Sequence, residues 1–118
     1  MLMEFNDYQR LAKTTARYPE ENRIGYPMTM IAGEAGELVG RYAKILRGDF
    51  GSSDPAAIIA DNPELHAYFT KELGDILWGL AVLADELGVP FDEIAQKNLD
   101  KLKGRAERGT IKGDGHDR

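Results

Sequence analysis

Between Leu65 and Leu87 the apolar residues Leu65, Phe69, Leu73, Ile76, Leu80, Leu83 and Leu87 recur three or four positions apart, the repeat of an amphipathic α-helix. On a wheel of about 100° per residue with Glu72 at zero, they form a band centred at about 60°, and Asp75 falls at about −60°. The band predicts a core face. It places Glu72 and Asp75 along one margin of that face rather than on the opposite, solvated side. Asn62-Pro63-Glu64 is a helix start and Gly88 a stop, so this spine helix is expected over Pro63–Leu87.

The same period appears three more times. Phe5–Tyr18 carries Tyr8, Leu11, Ala12 and Thr15 at helical spacing ahead of Pro19, with Asn6 as its expected cap. A second helix over Pro27–Arg47 has a core stripe of Ile31, Ala35, Leu38, Tyr42, Ile45 and Leu46, with Glu34 and Glu37 on its margin and Gly48 as its stop. Its Gly33, Gly36 and Gly40 share the back face, each at a cost of about 1 kcal/mol in helix propensity, which points to close approach by another helix. A fourth helix, Phe91–Arg108, opens with Asp92 and Glu93, where the helix dipole favours acid, and has Phe91, Ile94, Ala95, Leu99 and Leu102 as its stripe. Gly48–Asn62 reads as loop with at most a turn of helix over Pro55–Ala60, and the Gly-rich charged residues 109–118 read as loop or disorder. No strand alternation or internal repeat appears. The expected fold is all-α: a four-helix-type bundle over residues 1–108, with a loop or short helix between helices 2 and 3, followed by a C-terminal tail.

Composition narrows the function. A chain of 118 residues with 42% hydrophobic and 30% charged residues can bury one ordinary core, and no apolar run approaches the roughly 18 residues of a membrane span. The start MLMEFND carries acid where a secretory signal carries base, which makes a cytoplasmic location the default. The absence of Cys excludes disulfides, thiolate metal sites and thiol nucleophiles. A net charge of −5 argues against a nucleic-acid polymer as partner, but tolerates a nucleotide held through a metal.

Two pairs, Glu34-x-x-Glu37 and Glu72-x-x-Asp75, each set carboxylates about 5–6 Å apart on one helix face, and packed together they make a four-carboxylate cluster. Any single pair among 20 acidic residues reads more simply as a solvated face, and Arg41, four residues after Glu37, can simply pair with it. The fourth helix changes the balance. Asn98 falls in the middle of its apolar stripe, where a buried amide needs partners, and Lys101 and Arg105 follow at near-helical steps as a column of donors able to face the acids. Two carboxylates at such a distance repel by roughly 3 kcal/mol at an effective dielectric of about 20, so four converging ones call for a cation. All-oxygen ligation selects Mg²⁺, with Mn²⁺ possible. A di-iron bundle centre wants Glu-x-x-His, and neither His66 nor His116 lies three residues after a Glu. A divalent cation beside a cationic column suits phosphoanhydride hydrolysis. Trp78, three residues after Asp75, either stacks on a base or packs in the core.

At these residues the chain resembles the all-α nucleoside triphosphate pyrophosphohydrolases, or MazG-like proteins: GEAGEL (Gly33–Leu38), KELGDILW (Lys71–Trp78), NLDKLKGR (Asn98–Arg105) and the end GDGHDR. The resemblance implies Mg²⁺ ligation by Glu34, Glu37, Glu72 and Asp75, phosphate contacts from Asn98 and Lys101, and a homodimer or higher homo-oligomer. It also implies cleavage of a nucleoside triphosphate between its α- and β-phosphates to nucleoside monophosphate and pyrophosphate. Arg105 and Trp78 complete the expected substrate-binding set. Two features depart from the usual family form: Gly33 stands where many relatives carry another Glu, and 34 residues separate Glu37 from Glu72, a longer gap than usual. The alternatives are a selective relative, acting on dUTP, dCTP or phosphoribosyl-ATP, and a non-catalytic helical adaptor whose acids are solvated surface.

Overall fold

Residues 2–118 are described by a computed structural model, which contains no strand among them. The helices are α1 (Phe5–Lys13), α2 (Gly25–Leu46), α3 (Pro55–Asp61), α4 (Pro63–Glu86) and α5 (Phe91–Arg108), with one turn of 3₁₀ helix over Glu20–Asn22. Three of the stops are glycines in the left-handed region, Gly48, Gly88 and Gly109 at φ of 93°, 73° and 71°, where a side chain would be strained. Asn62 caps α4 by accepting the Leu65 N–H at 3.1 Å. Asp54 caps α3 in the same way from Ala57, at 3.3 Å, so the expected single turn is a seven-residue helix.

Two expectations about α1 are corrected. It ends at Lys13 rather than Tyr18, because the Thr14 and Thr15 hydroxyls donate back to the Leu11 and Ala12 carbonyls at 2.6 and 2.7 Å while the backbone tightens into three-residue turns. Asn6 does not cap α1 either: its Oδ1 accepts the Asp92 N–H at 2.9 Å and caps the start of α5. Beside it, buried Gln9 donates to the carbonyls of Ala81 and Val89 at 3.3 and 2.9 Å and accepts from the Phe91 N–H at 3.1 Å. One amide therefore ties α1 to α4, to the α4–α5 turn and to α5. Around it pack Ala12, Ala81, Val82, Ala84 and Phe91, with Phe5 edge-on to Phe91 at 5.5 Å. A second cluster, Ile45, Ile58 and Leu65, joins the C-terminal end of α2 to α3 and the start of α4.

The buried side of α4 differs from the expected band. Leu65, Glu72 and Gly79, seven residues apart, form the seam against α2, and Ala81, Val82 and Ala84 the seam against α1, whereas Leu73, Leu80 and Leu87 are 59%, 43% and 59% exposed. Small residues let α2 and α1 approach α4 closely, which leaves its leucine band uncovered. Uncovered too are much of the stripes of α2 and α5: Tyr42, Leu46, Ile94, Leu99 and Leu102 are exposed, and so is Asn98, which is not the buried amide expected. The back-face glycines do not receive a helix, since a Cβ at Gly33, Gly36 or Gly40 would meet nothing within 4 Å. The close approach occurs at Gly79, where a Cβ would stand 2.7 Å from Ile31 Cγ1, 3.3 Å from the Pro27 carbonyl oxygen and 3.4 Å from the Ile31 nitrogen.

Replacing Gln9 by Leu keeps the volume of the side chain but removes its bonds to two carbonyls and one N–H. The variant is expected to lose about 2–3 kcal/mol of stability in urea unfolding at neutral pH, and a loss below about 0.5 kcal/mol would show that the amide is dispensable.

Candidate metal centre

The α2–α4 seam brings acids from both helices together. Glu34 on α2 and Glu72 and Asp75 on α4 each present a carboxylate oxygen, all within 4.8 Å of one another. Glu37 lies outside that trio and within hydrogen-bond reach of Glu34. Its expected partner Arg41 sits over the Tyr68 ring at 4.2 Å instead, while the Tyr68 hydroxyl donates to the Glu37 carbonyl at 3.2 Å. The four acids of the two ExxE-type pairs are thus neighbours, with three at ligating range.

Their electrostatics are those of an uncompensated cluster. Glu72 is 7% exposed, it forms no salt bridge among the described residues, and its Oε2 is buried without a hydrogen-bond partner. A buried carboxylate in that condition is costly unless a cation or a proton offsets it. The strain shows on Glu34, whose carboxyl is pushed up chiefly by its hydrogen bond to Glu72, then by burial and by the charge of Glu72, with a contact to Glu37 opposing. Three converging carboxylates, one with an orphaned oxygen, form an all-oxygen donor set that fits a hard divalent cation.

Beside the acids lies a cleft of about 350 Å³ lined by Thr15, Arg17, Tyr26, Met30, Glu34, Asp75 and Trp78. Trp78 faces both readings at once: it packs on the α1–α4 core, and its indole N–H donates to Thr15 Oγ1 at 2.8 Å, which fixes the ring at the cleft wall. Arg17 brings a positive charge to the cleft, held by bonds to the Thr14 and Ala16 carbonyls at 2.9 and 3.0 Å. Sequence reasoning missed Thr15, Arg17, Tyr26 and Met30. Thr15 and Arg17 come from the α1–α2 connection and Tyr26 and Met30 from the start of α2, and no spacing rule links them to the acids. The fourth-helix donors are not in the cleft. Lys101 and Arg105 line a separate cavity with the C-terminal segment, and Asn98 is exposed on α5.

An all-α fold with a carboxylate cluster across the seam between two helices defines a helical class of candidate metal-binding proteins with a ligand cleft beside the acids. Within that class, the model of the MazG nucleotide pyrophosphohydrolase domain matches residues 27–110, and the chain belongs to that family. The Gene 37 protein of Mycobacterium phage L5 is 35% identical over 122 residues, covering 98% of this chain and 100% of its own length. No solved structure matches. No helix among the described residues is long and apolar enough to cross a membrane.

Because Gly79 sets the distance between α2 and α4, widening it should loosen the cluster. Gly79→Val is expected to cost about 1–3 kcal/mol by overpacking and to weaken divalent-cation binding in a calorimetric Mn²⁺ titration. Gly40→Ala, whose added methyl points into open space, should leave that affinity unchanged.

Proposed function

We propose that this chain is a Mg²⁺-dependent nucleotide pyrophosphohydrolase, with Mn²⁺ as a substitute, cleaving the α–β anhydride of a (deoxy)nucleoside triphosphate to nucleoside monophosphate and pyrophosphate. The observation that carries the reading is the buried, unpartnered oxygen of Glu72 inside the Glu34–Glu72–Asp75 cluster. Glu34, Glu72 and Asp75, with Glu37 at their edge, would hold the metal. A divalent cation bound there supplies Lewis acidity toward a phosphate oxygen and offsets the charge of the polyphosphate. The chain's own residues do the rest: Arg17 adds positive charge at the cleft, and Trp78, fixed by Thr15, offers a preorganised face to a base. The oxygen of water becomes part of the monophosphate and the broken α–β bond releases pyrophosphate. A helical adaptor with solvated acids is the weaker reading, since it leaves the burial of Glu72 without a reason.

The proposal includes a second copy of this chain. Leu73, Leu80, Leu87, Leu99 and Leu46 are all exposed, and the radius of gyration of 17.4 Å exceeds the roughly 13–14 Å of a compact domain this size. A two-fold contact between such faces would cover them with their own kind. It would also bring toward the cleft the expected phosphate contacts Asn98 and Lys101, which do not line the cleft of their own chain.

Three outcomes are expected. Millimolar Mg²⁺ should raise the melting temperature of the parent but not of Glu72→Gln, and without metal Glu72→Gln should be at least as stable as the parent, because it removes a buried charge. Asp75→Asn should lose pyrophosphate release almost entirely, whereas Lys101→Ala should keep the Mg²⁺-dependent melting shift and lose roughly 2–4 kcal/mol of transition-state stabilisation in kcat/KM. The double variant Leu80→Asp, Leu99→Asp should run as a single chain in light scattering where the parent runs as a multiple. Full activity of Lys101→Ala on every nucleotide the parent hydrolyses would remove α5 from the site.

A further inference from the structure

The α2–α4 seam has a direction. As residue numbers rise along α2 they fall along α4: Ile31 meets Gly79, Glu34 meets Glu72 and Asp75, Arg41 meets Tyr68, and Ile45 shares a core cluster with Leu65. The two helices are therefore antiparallel, and the parts of the seam that carry chemistry stand in a row. At one end is the cleft with Tyr26, Met30 and Trp78 in its walls, in the middle are the acids, and at the other end is Arg41. On α2, Met30, Glu34, Glu37 and Arg41 recur at steps of four, three and four, so one face of a single helix carries all of them.

Arg41 is held but not neutralised. The carbon of its guanidinium lies 4.2 Å from the centre of the Tyr68 ring. That ring is fixed in turn by its hydroxyl, which donates to the Glu37 carbonyl at 3.2 Å, and by an edge-on contact with Phe69 at 5.9 Å. Half-buried Arg41 forms no salt bridge among the described residues, although Glu37 stands one turn away; the Glu37 carboxylate is within hydrogen-bond reach of Glu34 instead. A guanidinium lying flat on an aromatic face keeps its charge, and its N–H edge stays available to an oxyanion. An arginine on a tyrosine is ordinary surface packing when it stands alone. Here it ends a row that begins with an aromatic cleft and passes through a cluster suited to a divalent cation. Seven residues separate Glu34 from Arg41, about 10 Å along the helix axis, which the diphosphate tail of a metal-bound nucleotide and an arginine side chain span between them.

We propose that Arg41 binds the β- and γ-phosphates of the substrate, so that a nucleoside triphosphate lies along the seam with its base at Trp78, its α-phosphate beside the acids and its pyrophosphate end at Arg41. This orientation rests on the pyrophosphohydrolase reading. It makes Arg41 a selectivity residue, because a triphosphate fills its donors and a monophosphate leaves them empty.

The test takes the full chain in saturating Mg²⁺ and compares inorganic pyrophosphate with the four deoxynucleoside monophosphates, by calorimetry and by the side-chain N–H signals of Arg41 and of Trp78, the one tryptophan of the chain. Pyrophosphate should shift the Arg41 Nε–H and leave the indole unmoved, and a monophosphate should do the opposite. Arg41→Gln is expected to bind pyrophosphate about tenfold more weakly than the parent, as for the loss of one charge-assisted contact, and to keep the parent's Mg²⁺-dependent melting shift. No pyrophosphate binding to the parent, a shift of the indole rather than of Arg41, or parent-like pyrophosphate affinity in Arg41→Gln would each overturn the assignment. Loss of the melting shift in that variant would overturn it too, by making Arg41 a support of the acids rather than a contact for phosphate. Pyrophosphate held through Arg41 in a protein that hydrolyses no nucleotide would sink the hydrolase reading and spare the contact. Hydrolysis with undiminished pyrophosphate binding in Arg41→Gln would do the reverse.

Discussion

Where α2 crosses α4, at Gly79, there is no room for a methyl group, and the arrangement of the acids follows from that. The seam runs down Leu65, Glu72 and Gly79, so the closeness set by Gly79 is what presses Glu72 against Glu34, two helical turns away. A larger residue at the crossing would move the helices apart and let water reach the carboxylate. The glycine thus acts on the acids through the backbone, without touching them.

The folded chain holds two unresolved charges of opposite sign in different places. Glu72 is a buried carboxylate lacking a cation, and Arg105 a buried guanidinium lacking an anion. They do not neutralise each other, because the first sits in the α2–α4 seam and the second against the C-terminal segment. Each would lower the stability of the chain standing alone, and each would be relieved by a ligand of the opposite sign. That coupling is what distinguishes a binding site from a solvated surface, where the same side chains would be indifferent to what surrounds them.

The helices were legible because their signals are local. Period, proline at the first turn and glycine at the last need no knowledge of partners, and α4 and α5 lie within a residue of where the pattern puts them. The carboxylate pairs were legible for the same reason, since spacing alone puts them on one face. What failed were several inferences about which face another helix covers, although the meeting of the α2 and α4 acids held. The leucine band of α4 reads as core by hydropathy, but small residues beside it allow closer packing, and closeness decided the seam. Asn6 and Gln9 show the same limit: each bonds a partner more than 70 residues away, and nothing near them in sequence announces it. The C-terminal segment is the loop that its composition allows, but composition could not show the five carbonyl bonds by which Arg105 and Arg118 hold it.

The clamp made by Gln9 also sets an order of events. Its partners Ala81, Val89 and Phe91 lie 72, 80 and 82 residues further along, so α1 emerges first during synthesis and has nothing to bury against until most of the chain has followed. The α2–α3–α4 contacts are nearer in sequence and close smaller loops. Docking of the first helix therefore closes the longest sequence separations among the bonds that Gln9 makes, and cannot precede synthesis of the α4–α5 turn.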